Sequence, residues 1–291
     1  MSHALAIKTL SSILRADNEA RPVFLLGAGA SFSSQVPMAE QCVKLLARRV
    51  YAERELSGKV HPHQVRQTEW WRWLAAHDWF IGDPEHLAEN FPLVVQHLLW
   101  PQDYRRRQLV DLMQMGKDGV SVGYAAMADL VLKGLVRTIL TTNFDACLPT
   151  ALAALRPHLP QISEVNRAPD DLREFDIYSR AQIVWLHGRL ESYADKNLIE
   201  ETNTLDPALK RLLAPLLQFS PLVVMGYRGA EASISRDLLL GSRADALNYP
   251  RGVYWCTREG ESLHPNVKEL AQVLGSNFQH LQITGFRRVV D

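Results

Sequence analysis

The chain has 291 residues, of which 47% are hydrophobic and 22% are charged, and its formal net charge is zero. These values are typical of a folded globular protein with one large domain or two modest ones. Proteins that grip nucleic acid through phosphates usually carry a basic excess, so the balanced charge disfavours direct nucleic-acid binding. No stretch approaches the roughly 20 apolar residues of a membrane span, and we expect no membrane segment.

Cysteine usage and the first residues indicate a reducing compartment. Cys42, Cys147 and Cys256 are far apart and odd in number, so no disulfide framework is expected. The chain contains no Cys-x-x-Cys pair, which excludes a structural zinc site of the four-cysteine type, and we expect no metal. The start lacks a basic segment followed by an apolar run and a cleavage site. Together these features predict a cytoplasmic protein.

Hydrophobic patterning predicts helices and strands that alternate along the chain. Helical spacing occurs at 4–16 and at 38–51. Short apolar runs typical of buried strands occur at 22–26, 135–141, 182–186, 221–225, 252–256 and 280–283. Further helices are predicted at 145–155, 206–219 and 232–240 and from Pro265 onward. This alternation predicts an α/β fold with a doubly wound, mostly parallel, Rossmann-like sheet.

Residues 60–130 differ from this pattern. They hold five of the seven tryptophans, show helical periodicity and contain few β-branched runs. We interpret them as a helical insertion in a single domain that covers residues 1–291. Clustered aromatic side chains are more often the core of such a subdomain than a ligand site.

Four of the predicted strands end in unusual residues. The segments are Gly27-Ala28-Gly29-Ala30-Ser31, Thr141-Thr142-Asn143-Phe144-Asp145, His187-Gly188 and Gly226-Tyr227-Arg228-Gly229. In an open parallel sheet, ligands bind beyond the carboxyl ends of the strands. The four segments, distant in sequence, are therefore expected to meet at one crevice.

The first segment suits a pyrophosphate. Small residues let the backbone approach phosphates, and the N–H groups that lead into a helix favour anions. The full dinucleotide fingerprint needs a third glycine where Phe32 stands, so an ordinary dehydrogenase is disfavoured. The alternative is a tight turn between strand and helix that binds nothing.

The polar residues of the other segments also have two interpretations each. The Asn143 carboxamide suits a ribose hydroxyl or a water, but an asparagine there also suits a helix cap. Asp145 can complement the positive end of its helix. A single histidine such as His187 is more often structural than catalytic. A functional site is favoured because all of these residues are expected at the same edge of the sheet.

Taken together, these segments resemble the sirtuin superfamily. That family has a Gly-Ala-Gly-x-Ser phosphate loop, a Thr-x-Asn-x-Asp segment and a His-Gly at strand ends, in the order found here at Gly27–Ser31, Thr141–Asp145 and His187-Gly188. The run that ends in Gly226-Tyr227 stands where sirtuins carry another strand end. The resemblance spans residues 23 to about 258, most of the chain.

The departures from the sirtuin pattern indicate a particular branch. The four zinc-binding cysteines of sirtuin deacylases are missing, and of their Ile-Pro-Asp-Phe-Arg stretch only Pro37 is kept. In both respects the chain resembles the sirtuin-like NAD hydrolases (NADases) of bacterial anti-phage defence. These deplete NAD to stop an infected cell, which is abortive infection. Such domains often form the N-terminal effector part of a longer protein.

The resemblance implies a site and an activity. Asn143 and His187 would be catalytic in cleaving NAD, the substrate, to nicotinamide and ADP-ribose. The residues expected to contact NAD are Gly27, Ala28, Gly29, Ala30, Ser31, Thr142, Asp145, Gly226, Tyr227 and Arg228. The expected partners are a second copy of the chain, as a homo-oligomer, or a sensor or regulatory module. An NAD-dependent protein deacylase, an ADP-ribosyltransferase and a non-catalytic nucleotide-binding sensor stay open as alternatives.

Overall fold

The computed structural model describes residues 3–16, 20–114, 121–155, 162–165, 172–173, 175–176, 181–188, 205–241 and 248–286. Within these residues the chain forms two compact units, a sheet unit and a helical unit whose described part is residues 35–114. Among the described residues, no helix combines the length and the apolar character that crossing a bilayer requires.

The sheet unit is built on seven strands in the order β3-β4-β2-β1-β5-β6-β7. The strands are β1 (Val23–Leu26), β2 (Thr138–Thr141), β3 (Ser163–Val165), β4 (Gln182–Trp185), β5 (Leu222–Met225), β6 (Val253–Arg258) and β7 (Phe278–Ile283). Every neighbouring pair is parallel. The predicted α/β class with a parallel, doubly wound sheet is thus confirmed. Strand β3 was not predicted, because its three residues include a serine and a glutamate and form no apolar run.

Helices cover both faces of this sheet. They are His3–Arg15, Val122–Leu132, Cys147–Ala154, Pro207–Phe219, a π-helical segment at Ser233–Leu240, and Pro265–Leu274. Along β1, Phe24 and Leu26 pack in one apolar cluster, while Val23 and Leu25 pack in another. Successive strand residues point to opposite faces, so the two clusters are the two sides of the sheet. Burial on both sides explains why the strands read as continuous apolar runs.

The register of the sheet aligns the four strand ends of interest. Leu26 of β1 pairs with Thr141 of β2 and with Met225 of β5. Thr141 in turn pairs with Trp185 of β4. The carboxyl ends of β4, β2, β1 and β5 therefore lie in one row, and the segments that follow them begin at the same level of the sheet.

The helical unit has its own core. Its helices are Ala39–Arg54, Gln67–Ala75, Phe91–Leu98 and Gln102–Gln114. Trp70 is fully buried, and Trp73 packs edge-on against Tyr51, whereas Trp100 is exposed. The division of the chain into a single domain with an insertion at about 60–130 stays a prediction.

Candidate active site

The loops after β1 and β5 pack directly against each other. The Gly27 N–H donates to the Met225 carbonyl over 3.0 Å, and the Gly29 N–H donates to the Gly226 carbonyl over 2.8 Å. A Cβ on Gly226, where φ is +66°, would lie 2.2 Å from the Ala30 nitrogen. A Cβ on Gly27 would lie 2.5 Å from the Tyr227 Cα. Only glycine fits at both positions, because backbone atoms occupy the space a side chain would need.

This packing also engages backbone N–H groups that were predicted to bind phosphate. The N–H groups of Gly27 and Gly29 are bonded across the two loops, and the Ala30 N–H donates to the Gly27 carbonyl over 2.9 Å. Ala28 is exposed at the start of the short helical turn Ala28–Ser31. The glycines therefore have a structural reason to be present, and contact of Gly27, Ala28, Gly29 and Ala30 with NAD stays a prediction.

Asn143, two residues beyond β2, is held in a buried hydrogen-bond network. Its Nδ2, which has two protons to donate, lies within hydrogen-bond distance of three acceptors, the Gly27 carbonyl at 3.2 Å, Ser31 Oγ at 3.0 Å and Tyr124 Oη at 3.3 Å. Its own N–H donates to Thr141 Oγ1 at 3.0 Å. The side-chain amide is thus fixed through its nitrogen, which leaves the Oδ1 atom pointing away from these partners.

The donors and acceptors of this network can be ordered. Ser31 Oγ donates to Asp145 Oδ2 at 2.7 Å. Because a serine has one hydroxyl proton, Tyr124 must be the donor in its 2.7 Å contact with Ser31 Oγ. Proton donation therefore runs from Tyr124 to Ser31 to the Asp145 carboxylate. Burial, followed by the charge of Asp145, raises the pKa of the Tyr124 phenol well above its ordinary value of 10.0, which keeps this donor protonated.

Both carboxylate oxygens of Asp145 accept a structural hydrogen bond. Its second oxygen, Oδ1, accepts the Cys147 N–H at 3.0 Å, at the start of the Cys147–Ala154 helix. The carboxylate therefore ties the Ser31 hydroxyl to a helix N-terminus, where negative charge is favourable. The Thr142 N–H is likewise engaged, with the Leu26 carbonyl at 3.1 Å. A direct contact of Asp145 or Thr142 with the ribose stays a prediction.

His187 follows β4 and is only 4% exposed. Its Nε2 lies 3.8 Å from Oε2 of Glu231, and its ring lies 6.3 Å from the ring of Phe144, the residue after Asn143. The distance to Glu231 is too long for a hydrogen bond but short enough for ionic attraction if the imidazole is protonated. The histidine predicted from the sequence is thus paired with a carboxylate that was not predicted.

Glu231 interacts electrostatically with both His187 and Tyr227. Burial raises the pKa of the Glu231 carboxyl, but the neighbouring His187 and then Tyr227 lower it by more, so the pKa falls below the ordinary value of 4.5. Burial and then the Glu231 charge raise the pKa of the Tyr227 phenol well above 10.0. The glutamate is therefore a carboxylate at neutral pH, beside an imidazole and a protonated phenol.

Four buried polar atoms of residues at this edge, one each from Asn143, His187, Tyr227 and Glu231, have no hydrogen-bond partner among the described residues. They are Asn143 Oδ1, His187 Nε2, the Tyr227 hydroxyl oxygen and Glu231 Oε2. Native proteins leave few buried polar groups unpaired, and such exceptions are commonly satisfied by a water, an ion or a ligand. These atoms follow β2, β4 and β5. The arrangement offers two acceptor oxygens, a phenol and an imidazole to a polar molecule at the carboxyl edge.

The predicted site residues thus fall into two groups. Gly27, Ser31, Asn143 and Asp145 share one hydrogen-bond network, while His187 and Tyr227 lie beside Glu231. Arg228 is exposed on the loop after β5. Two residues were missed by the sequence analysis, Tyr124 and Glu231. Tyr124 lies in the Val122–Leu132 helix and carries no sequence signal, but Glu231 lies shortly after a predicted strand end, where a carboxylate could have been singled out.

Metal ligands do not gather in this part of the molecule. Within the ranges that the structure describes, no three His, Cys, Asp or Glu side chains are grouped so that they could hold a metal ion.

Comparison with known proteins gives matches only at the level of solved structures. No family model and no curated protein matches the chain. A sirtuin solved to explain substrate affinity is similar with a TM-score of 0.46 and 13% identity, covering 98% of this chain and 95% of that one. Sir2Tm bound to a propionylated peptide has a TM-score of 0.45 and 14% identity, with 97% and 94% covered. A complex of a Sir2 homologue with NAD has a TM-score of 0.44 and 15% identity, with 97% and 91% covered.

Proposed function

We propose that the chain is an NAD glycohydrolase that cleaves the bond between nicotinamide and ribose, releasing nicotinamide and ADP-ribose. The observation that carries the proposal is that two buried atoms at the ends of neighbouring strands, Asn143 Oδ1 and His187 Nε2, have no hydrogen-bond partner among the described residues. The sirtuin-like motifs in which both residues stand supply the substrate class.

The reaction needs no general acid from the protein. Nicotinamide leaves NAD as a neutral base, while positive charge develops on the ribose, as in glycoside cleavage. The protein has to orient the sugar, stabilise its positive charge and supply a water. Asn143 is suited to orientation because its nitrogen is fixed by the buried network, so its Oδ1 is held in one direction to accept from a ribose hydroxyl or a water.

His187 supplies the base. In the proposal its imidazole accepts a proton from a ribose hydroxyl or from the attacking water. The Glu231 carboxylate, 3.8 Å from Nε2, attracts the positive charge that the imidazole gains in this step. Glu231 acts through His187 and is therefore a positioning residue in this scheme.

The remaining contacts follow from the resemblance. The pyrophosphate is proposed to lie on the Gly27–Ser31 loop, near the exposed Ala28 and Arg228. The adenosine half is proposed to extend toward the strand end at Gly226 and Tyr227, with Thr142 and Asp145 supporting the ribose side. No step is assigned to a metal ion.

The biological role proposed with this activity is depletion of NAD in a cytoplasmic anti-phage defence that ends in abortive infection. In that setting the chain is expected to work as a homo-oligomer, or as the effector part of an assembly with a sensor or regulatory partner. These statements depend on the resemblance to defence NADases alone.

The activity is tested by incubating the protein with NAD and measuring free nicotinamide, with and without an acylated peptide. Release without peptide is the expected result, and H187A should abolish it while the thermal melting curve is kept. Release that requires the peptide would instead indicate a deacylase, and transfer of labelled ADP-ribose to protein would indicate a transferase. Binding of NAD without any release would indicate a sensor. Unchanged turnover in H187A would refute the assigned base.

A further inference from the structure

A cavity of about 350 Å³ lies at the other edge of the sheet, where the strands begin. Its lining includes Arg21, Arg137 and Arg251, which precede β1, β2 and β6 by one or two residues. Ser220, just before β5, also lines it. Since β2, β1, β5 and β6 are consecutive in the sheet, four adjacent strand starts surround one cavity.

The described lining of the cavity contains three arginines and no carboxylate. None of the described lining residues is an aspartate or a glutamate. Neither Arg21 nor Arg251 makes an ion pair or a side-chain hydrogen bond with the described residues, and the buried Nε atom of Arg21 has no hydrogen-bond partner among them. Leaving a buried guanidinium N–H without an acceptor costs free energy, so a bound acceptor at this atom would be favourable.

The carboxyl end of the Pro207–Phe219 helix is a possible structural reason for the charge. Helix carbonyl ends attract cations, and Leu216 and Phe219 of this helix line the cavity. However, Arg21 and Arg251 donate no hydrogen bond to a described carbonyl oxygen, so the helix end does not satisfy them. The like charges of Arg21 and Arg251 at one cavity are unfavourable, and a bound anion would offset both of them.

We propose that this cavity is a binding site for a small organic phosphate. A phosphate carries up to two negative charges and several acceptor oxygens, which suits multiple guanidinium groups better than a singly charged carboxylate does. The wall formed by Val23, Leu216 and the exposed ring of Phe219 offers apolar surface to an attached organic group. The volume lies in the range of small-ligand sites. The site is separate from the proposed NAD site and does not depend on it.

The test uses the full chain in phosphate-free buffer. Binding of inorganic phosphate, AMP and acetate is measured by equilibrium dialysis, and the melting temperature is recorded with each. We expect phosphate to bind at about 1 mM, AMP to bind more tightly and acetate not to bind. R21Q and R251Q should each weaken phosphate binding about tenfold. The matched control is R211Q, which removes an exposed arginine of the neighbouring helix outside the described lining.

The outcomes distinguish a specific phosphate site from nonspecific attraction and from a structural role of the arginines. Phosphate binding that is kept in N143A and lost in R21Q and R251Q supports the proposal, because it excludes the carboxyl edge. An equal loss in R211Q would mean nonspecific attraction, and no binding by the unmodified chain would refute the site. R21Q and R251Q should melt no lower than the unmodified chain in phosphate-free buffer. A clear destabilisation there would show that the arginines already have a structural counter-charge, and would also overturn the proposal.

Discussion

The two edges of the sheet carry opposite chemistry on the same strands. Strand β2 begins after Arg137 and is followed two residues after its end by Asn143, and β1 begins after Arg21 and ends just before Gly27. The carboxyl edge presents an amide, an imidazole, a phenol and a carboxylate with buried atoms that lack partners among the described residues, while the amino edge presents guanidinium groups around a cavity. The strands between are only four residues long and fully buried.

The difference between the edges shows how one short apolar strand can position residues for two sites, one at each end. Its side chains are committed to packing on both faces, so chemistry is confined to the residues just before and just after it. The carboxyl edge has polar atoms that a neutral sugar or a water can satisfy, whereas the amino edge has guanidinium groups that suit an anion. Substitutions at one edge should therefore leave the property of the other edge intact.

The largest effect on stability is expected from placing a side chain between the two closely packed loops of the carboxyl edge. In G226A the new Cβ would lie 2.2 Å from the Ala30 nitrogen, in backbone that cannot move aside as a side chain can. We expect the free energy of unfolding to fall by about 4 kcal/mol or more, or the protein to fail to fold. Thermal and urea denaturation followed by circular dichroism measure this change.

Two other glycines provide controls for G226A. Gly260 has φ of +83° with nothing within 4 Å, so G260A isolates the cost of the left-handed backbone, about 1–2 kcal/mol. Gly252, before β6, has φ of +88°, and a Cβ there would meet the Tyr254 ring at 3.0 Å, so G252A should fall between the two. If G226A destabilised the protein no more than G260A, the close packing of the two loops would be wrong.

The second prediction concerns Glu231, which distinguishes a catalytic carboxyl edge from a merely polar one. E231Q should lower kcat for nicotinamide release about 10- to 100-fold with little change in KM, because the protonated His187 loses its neighbouring charge. E231D should recover part of the rate. The control is E269Q, an exposed position whose carboxylate pairs with Arg236. Equal rates in E231Q and E269Q would contradict the positioning role.

The same variant has a pH signature. The Glu231 pKa is lower in the folded protein than its ordinary value of 4.5, so the carboxylate adds stability above that pH and loses it as pH falls. The melting temperature of the unmodified chain should therefore exceed that of E231Q at pH 7, and the gap should shrink as pH is lowered below about 4.5. A constant gap would show that Glu231 acts through packing rather than charge.

The sequence predicted six of the seven strands, because those strands read as apolar runs, whereas the short edge strand β3 forms no such run. It placed Asn143 and His187 at strand ends, which the structure bears out for the backbone. It could not reveal Tyr124 or Glu231 as neighbours of these residues. Tyr124 is one aromatic residue of an apolar helix, and its hydroxyl reaches Ser31 only through the packing of that helix. The arginines before three strands are separated by more than a hundred residues, and only the strand order joins them.

The smallest effect concerns the thiol beside the carboxyl edge. Burial, followed by the negative charge of Asp145, raises the pKa of the Cys147 thiol from 9.0 to about 12. At pH 8 such a thiol holds about a thousandfold less thiolate than an ordinary one, and the thiolate is the reactive form. Alkylation of Cys147 by iodoacetamide, located by peptide mass mapping, should therefore be very slow in the native protein.

Asp145→Asn should accelerate this alkylation about threefold, because it removes a charge that raises the pKa while burial remains the main cause. R251Q, at the amino edge, should leave the alkylation rate unchanged, because the substituted residue is at the opposite edge of the sheet from Cys147. Cys256 is 4% exposed in β6 and serves as an internal check, since its modification would report loss of the fold rather than a local change. Rapid alkylation of Cys147 in the unmodified chain would contradict the prediction that burial and the Asp145 charge raise the pKa of this thiol.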